Sequence, residues 1–290
     1  MVSRICVVGS SNIDQIAYTE ITPSDGETVF GTDYKMGFGG KGANQAVMAG
    51  LLGAETFMIT CLGDDVYADM TIDNYKKNGV NVDFVQRVKG SSGVAPIWVD
   101  GNGQNRIIVV SGANDLINGD TAIESMEKIE NLNVVIGQFE IPLEVTAKVF
   151  SYAKNKNVTT ILNPAPAKNP SKDLLESTDW FIPNEIEFEA ITGMTAFEDK
   201  NLIEYSKALK GSLVVTLGEK GAAYVNGEEV LKFPAPKVNA IDTTGAGDAF
   251  VGAFSYGISS GLSAEKSVEI GILRATDSVT RPGTQSSYSK

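Results

Sequence analysis

The sequence predicts an α/β protein built on a mainly parallel sheet with helices on both faces, and three observations predict it. Short apolar runs of strand length alternate with longer segments of helical pattern along most of the 290 residues. Several of those runs end in polar turns, as the carboxyl edge of a parallel sheet requires. Two strand-rich excursions interrupt the alternation and predict a small second sheet.

In chain order, residues 5–8 (Ile-Cys-Val-Val) form a buried strand that ends in the polar turn Gly9-Ser10-Ser11-Asn12, placing Asn12 and Asp14 at its carboxyl end. Residues 18–36 are Thr-rich and irregular, with turn signals at Pro23 and Gly26. Residues 37–46 then open a small-residue helix that runs to about Leu52. Strand 56–60 and helix 65–78 follow. A hairpin spans 94–110, turning at Asp100-Gly101-Asn102-Gly103. Alternation resumes with strand 134–137, helix 142–154, strand 158–162, the apolar run 180–182, helices near 185–191 and 198–209, and strand 213–217. There is no internal repeat or low-complexity block.

Composition excludes several function classes. Lys and Arg total 24 against 36 Asp and Glu, and the net charge of -12 argues against nucleic acid or an anionic membrane as partner. The 42% hydrophobic content suits a substantial core. Cys6 and Cys61 lie in apolar runs and read as structural thiols. The apolar run near the N-terminus is too short for a signal or a span, so a cytoplasmic protein is expected. With no histidine, Ser-His-Asp triads, Cys-His dyads and His-liganded zinc are removed together. Proton transfer falls to Asp, Glu, Lys, Tyr or Cys, and a divalent ion would be a hard, oxygen-liganded one such as Mg²⁺.

Two stretches carry chemistry. In Asp242-Thr243-Thr244-Gly245-Ala246-Gly247-Asp248-Ala249-Phe250 a Gly-rich turn runs into a helix with a carboxylate in its first turn. Free backbone N–H groups and the positive helix end suit phosphate oxygens, and Asp248 beside them suggests a base next to an anion hole. In Gly37-Phe38-Gly39-Gly40-Lys41-Gly42-Ala43-Asn44 the glycines permit close approach of a ligand, with Lys41 and Asn44 as donors to hydroxyls or phosphate. Gly37, Gly39 and Gly42 meet the G-x-G-x-x-G spacing. A dinucleotide site is disfavoured, because the turn lies beyond the first strand, Lys41 interrupts it and the strand that should feed it is missing. Nor is it a Walker A loop, since Gly42 follows Lys41. Asn184 and Glu187 are spaced as a capping box, with a functional role open beside that structural one.

Together with Asn163-Pro164-Ala165-Pro166 and Val279-Thr280-Arg281-Pro282-Gly283, these motifs resemble the ribokinase-like (PfkB) carbohydrate kinase family over nearly the whole chain. The resemblance implies a three-layer α/β sandwich from residues 1–12, 38–92 and 111–290. Residues 13–37 and 93–110 would form a small β-sheet lid through which members often form homodimers. It implies ATP-dependent phosphorylation of a sugar hydroxyl, most narrowly the 5-hydroxyl of ribose, with Mg²⁺ and an activating monovalent cation such as K⁺. Asn12, Asp14, Gly39, Gly40, Lys41, Asn44 and Glu140 would hold the sugar. Asp248 would be the base, with Gly245, Ala246 and Gly247 as anion hole. Asn184 and Glu187 would arrange Mg²⁺ and phosphate, while Thr216, Gly218 and Gly221 form the nucleotide-side turn. Asp242, Thr244, Ser278, Gly283 and Ser287 would supply oxygens to the monovalent cation. Another pentose, a deoxy sugar or a nucleoside remains open as acceptor, as does a sugar-binding protein without catalysis. Asp277 puts a charge where relatives carry an apolar residue, which predicts altered contacts on the adenine side.

Overall fold

In the computed structural model, which describes residues 2–289, β1 (Arg4–Val8) runs through the middle of the main sheet. Its side chains alternate: Cys6 and Val8 enter the core on one face, Ile5 and Val7 the core on the other, and all four are buried. A strand covered on both faces is apolar at every position, which is why it reads as a continuous run. Burial also pushes both thiols up, Cys61 to about 11, in keeping with structural cysteines.

The chain leaves the main sheet at Asn12 for β2 (Asn12–Thr19) and returns along β3 (Gly31–Gly39) into α1 (Lys41–Leu51). Next come β4 (Glu55–Leu62), α2 (Val66–Lys77), and the short β5 (Val80–Asn81) and β6 (Val85–Arg87). The second excursion is the antiparallel hairpin β7 (Gly93–Val99) and β8 (Asn105–Ile107), closed at Gly103 in a left-handed conformation. Then follow α3 (Gly119–Met126), β9 (Val134–Gly137), α4 (Leu143–Asn155), β10 (Thr159–Leu162), α5 (Lys172–Glu176) and β11 (Trp180–Phe181). The rest comprises α6 (Glu185–Thr192), α7 (Asp199–Ala208), β12 (Ser212–Thr216), β13 (Ala222–Asn226), β14 (Glu229–Phe233), α8 (Ala246–Ser259) and α9 (Ala264–Ser278).

The main sheet has the order β14-β13-β12-β11-β10-β9-β1-β4-β5, with β6 paired to β4, and is parallel from β12 through β5. On one face lie the buried residues of α3 to α7, on the other those of α1, α2, α8 and α9. This is the expected α/β sandwich. The small sheet has the order β3-β2-β7-β8. Because strand side chains alternate, Asn12 and Asp14 share one face of β2. The row Tyr34–Ala17–Trp98 belongs to the other, with Tyr34 60% and Trp98 40% exposed. Among the described residues no helix is long and apolar enough to cross a membrane.

Three local expectations change. Only residues 20–30 of the first excursion lack regular strand pairing, because β2 and β3 extend from either side. Asn12 and Asp14 therefore belong to β2 rather than to the end of β1. A strand does feed the Gly37–Gly42 turn, but β3 is antiparallel to β2 in the small sheet, so no βαβ dinucleotide unit exists there. The antiparallel edge formed by β13 and β14 was not anticipated, although Asn226-Gly227 between two apolar runs is a hairpin signal, and Gly227 is left-handed.

Candidate active site

The cleft lies at the carboxyl ends of the parallel strands, where α1, α6 and α8 start. Its lining includes Lys41, Asn163, Asn184, Glu187, Thr216, Gly245, Gly247 and Asp248, around a cavity of about 140 Å³. Residues 170 positions apart or more in sequence thus converge, because every strand-to-helix turn of a parallel sheet opens on the same edge.

Helix α8 begins at Gly245, whose φ of +75° is left-handed. A Cβ there would also meet Thr284 Cγ2 at 2.4 Å, so glycine is required twice over. No side chain caps this helix start, while Gly247 is exposed with open space where a Cβ would stand. Of the N–H groups at this start, Ala246 N donates to the Thr243 carbonyl at 3.3 Å, and the positive helix end around Gly245 and Gly247 is open to an anion. Tyr288 braces the turn by donating its hydroxyl to the Gly245 carbonyl at 2.8 Å.

Asp248, in that first turn, is 6% exposed. Asn44 Nδ2 donates to its Oδ2 at 2.8 Å and Gln45 Nε2 to its Oδ1 at 3.0 Å. Burial pushes this carboxyl up, against the pull of Lys41 and of the two amide donors, and the net shift is upward. Gln45 also donates to Asn163 Oδ1 and accepts from Gln138 Nε2 at 2.7 Å, and Asn163 donates to the Ile182 carbonyl.

The turn before α1 is shaped by two glycines. Gly40 has a φ of +88°, and a Cβ on it would lie 2.8 Å from Asn12 N; a Cβ on Gly42 would lie 2.7 Å from Ser10 N. The loop therefore lies directly on the turn after β1. Glu140 ties the two together: its Oε2 accepts from Ser10 Oγ at 2.6 Å and from Lys41 N at 2.9 Å. Burial lowers the Lys41 ammonium, but Asp248, Glu140 and Glu187 push it further the other way, and it ends above its ordinary value. Lys41 stays charged among these carboxylates.

Asn12 and Asp14 approach from the small sheet. Asn114 Nδ2 donates to Asn12 Oδ1 at 2.8 Å, which turns the Asn12 amide nitrogen away from Asn114. Asp14 sits beside Gly39, and burial, then Glu140 and Asp248, push its carboxyl up to about 7, with a bond from Thr284 acting the other way.

On the opposite side Asn184 and Glu187 form a complete capping box: Asn184 Oδ1 accepts from Glu187 N at 2.7 Å and Glu187 Oε2 from Asn184 N at 2.9 Å. Both also line the cleft, so the structural and the functional roles coexist. Burial raises the Glu187 carboxyl, partly offset by that backbone bond and by Lys41. Thr216 lines the cleft at the end of β12 and bridges to Asn184, whereas Gly218 and Gly221 shape the turn beyond it. Both are left-handed, and a Cβ on Gly221 would fall 1.9 Å from the Phe233 carbonyl. They are not part of this cleft's lining.

Residues predicted around a monovalent cation are brought near one another. Asp242 Oδ1 accepts from Thr244 N and Oδ2 from Gly283 N, each at 2.9 Å, and Ile241 N donates to the Val279 carbonyl. Ser278 and Ser287 are buried and donate to the carbonyls of Ala275 and Thr284. Asp277 accepts from Arg281 and from Ser289 Oγ and so clips the C-terminal segment to α9. Sequence reasoning missed Gln45, Gln138, Gln285 and Tyr288. Gln45 stood inside the segment 37–46 already singled out, Gln138 directly follows the apolar run 134–137, and an amide within or beside a buried apolar stretch is itself a signal.

A model of the pfkB family carbohydrate kinases matches residues 2–290. The deoxyribokinase of Salmonella typhi is 40% identical over 291 residues, spanning 98% of this chain and 95% of that protein. The ribokinase of Bacillus subtilis (strain 168) is 37% identical over 283 residues, spanning 97% and 94%. The structure of Arabidopsis thaliana ribokinase complexed with ribose and ATP covers 100% of this chain and 96% of its own, with a TM-score of 0.94 at 30% identity. Identity above a third along nearly the full length of both curated relatives makes this chain a member of the pfkB family of carbohydrate kinases.

Proposed function

We propose that this protein is an ATP-dependent ribokinase that moves the γ-phosphoryl of ATP to the 5-hydroxyl of ribose. The observation that carries the reading is the buried Asp248 carboxylate, held by Asn44 and Gln45 at the mouth of the uncapped α8 and facing Lys41 across the cleft. Asn12, Asp14, Gly39, Gly40, Lys41, Asn44 and Glu140 form the sugar side. As the sugar O5–P bond forms and the bond from phosphorus to the ADP oxygen breaks, the hydroxyl proton passes to Asp248. A positioned base contributes about 10²- to 10⁴-fold. The N–H groups of Gly245, Ala246 and Gly247 face the charge on the transferring phosphoryl.

Glu187 and Asn184 would arrange Mg²⁺ on the phosphate side indirectly, through its water shell: a carboxylate and an amide oxygen suit a hard ion that keeps several waters and takes the rest of its sphere from phosphate. When bound, it supplies charge neutralisation between the phosphates. Thr216, Gly218 and Gly221 would meet the nucleotide, and Asp242, Thr244, Ser278, Gly283 and Ser287 the activating K⁺. The exposed face of the small sheet around Tyr34 and Trp98 would pair in a homodimer, and MgATP as co-substrate suits a cytoplasmic setting.

A second reading, 2-deoxyribose as acceptor, is favoured by the 40% identity to a deoxyribokinase. ADP release from MgATP with ribose, 2-deoxyribose and a nucleoside panel at equal concentration separates the two. Asp248→Asn should abolish sugar-dependent turnover; near-parental turnover in that variant would remove the base assignment.

A further inference from the structure

The amides that reach Asp248 all point the same way. Asn78 Nδ2 donates to Asn74 Oδ1 at 3.1 Å, Asn74 Nδ2 to Gln285 Oε1 at 2.7 Å, and Gln285 Nε2 to Asn44 Oδ1 at 2.9 Å. Asn44 Nδ2 completes the line on Asp248 Oδ2 at 2.8 Å. A shorter line, Gln138 to Gln45 to Asp248 Oδ1, runs in the same sense. Chemistry dictates this direction from the carboxylate end. An ionised carboxylate only accepts, so its neighbour must present an NH₂ group, which turns that neighbour's carbonyl outward to require a donor in turn. The cost is visible at Gln138, whose buried Oε1 has no partner.

We propose that Gln285 is a positioning residue for Asp248: it locks the Asn44 amide with its NH₂ on the carboxylate, fixing the orientation of Oδ2 and favouring the ionised, proton-accepting form. The inference rests on the assignment of Asp248 as the base. Amide NH₂ groups at both oxygens stabilise the ionised form over the protonated one, whose O–H oxygen is the weaker acceptor. Gln285 lies two residues beyond Gly283, which is bonded to Asp242, so the order of the C-terminal segment is transmitted to the base through one side chain. The other titratable groups around Asp248 are Lys41 on α1, Asp14 on β2, Glu140 after β9, Glu187 on α6 and Tyr288 in the C-terminal segment.

The test is the pH dependence of kcat/KM for the full chain with MgATP and the better of ribose and 2-deoxyribose. Gln285→Met keeps the length of the side chain and removes its donor. It should lower kcat/KM several-fold and move the acid limb up by about half a pH unit or more, the size expected for one lost hydrogen bond between neutral groups. Gln285→Glu is nearly isosteric and still accepts from Asn74, which keeps the segment in place, but it can no longer donate to Asn44. Asn44 must then donate to it and turn its carbonyl toward Asp248, so the acid limb should rise further than in Gln285→Met. An acid limb within about 0.2 pH unit of the parent in Gln285→Met, far below one hydrogen bond's worth, overturns the relay, whatever happens to Tm, since in Gln285→Glu the added negative charge raises the limb by itself. If Asp248→Asn is inactive while the Gln285→Met limb is unmoved, the relay fails and the base assignment stands. Near-parental turnover in Asp248→Asn would remove the base assignment instead.

Discussion

Gly39 leaves the position of its missing Cβ to the carboxylate of Asp14: a methyl group there would lie 2.4 Å from Asp14 Oδ1 and 2.5 Å from Oδ2. The two residues come from antiparallel neighbours in the small sheet, and their contact fixes the position of that carboxylate. Gly39→Ala should therefore displace Asp14. The sugar KM should rise about tenfold or more, the loss of a hydrogen bond to a charged group. The KM for MgATP should stay within about twofold if Asp14 serves the sugar side, as proposed, since uniform binding of the sugar is what the change removes. Steady-state kinetics with each substrate varied in turn checks both.

Asp14 also makes stability depend on pH. Its carboxyl is raised from 3.8 to about 7, so between these values the folded chain holds a proton that the unfolded chain has released. The contribution is complete below pH 3.8 and is lost as pH rises through about 7. Asp14→Asn, which stays neutral, should raise Tm clearly more at pH 8 than at pH 5, where the loss is under way but incomplete. Thermal scans at the two values test this, and equal shifts would contradict it.

Glu187 has two duties that one substitution separates. In Glu187→Gln the side-chain carbonyl still accepts from Asn184 N, so the capping box and Tm should persist. The charge that would assist Mg²⁺ is gone, and the Mg²⁺ concentration for half-maximal rate should rise about tenfold, as for a lost charge-assisted contact. A magnesium titration at fixed ATP gives the answer.

Asp277→Ala should loosen the C-terminal clip. The pair with Arg281 is partly exposed, so the loss should be near the upper end for such pairs, ~1 kcal/mol, or ~2–4 °C in Tm for a chain this long. Because Asp277 turns toward Arg281 and Ser289, the KM for ATP should move less than about twofold, a change below 0.5 kcal/mol. A larger rise would return Asp277 to the nucleotide site.

The alternating α/β sandwich was legible in the residue pattern, because a strand buried on both faces must be apolar throughout and a helix must repeat at 3.6 residues. Both patterns are local and survive without knowledge of the partners. It also marked the two turns at Gly39–Asn44 and Gly245–Asp248, where positive φ and close approach demand glycine. Hairpin geometry at the β13–β14 edge was legible in Asn226-Gly227 and went unread. Which side chains share the carboxylate of Asp248 was set by packing in three dimensions. Nothing in the spacing of Asn44, Gln45, Gln138 and Gln285 announces that four amides from α1, the turn after β9 and the C-terminal segment meet around it. Hydrogen-bond partnership between residues some 240 positions apart is a property of how the turns stack along one sheet edge, and that stacking leaves no period in the chain.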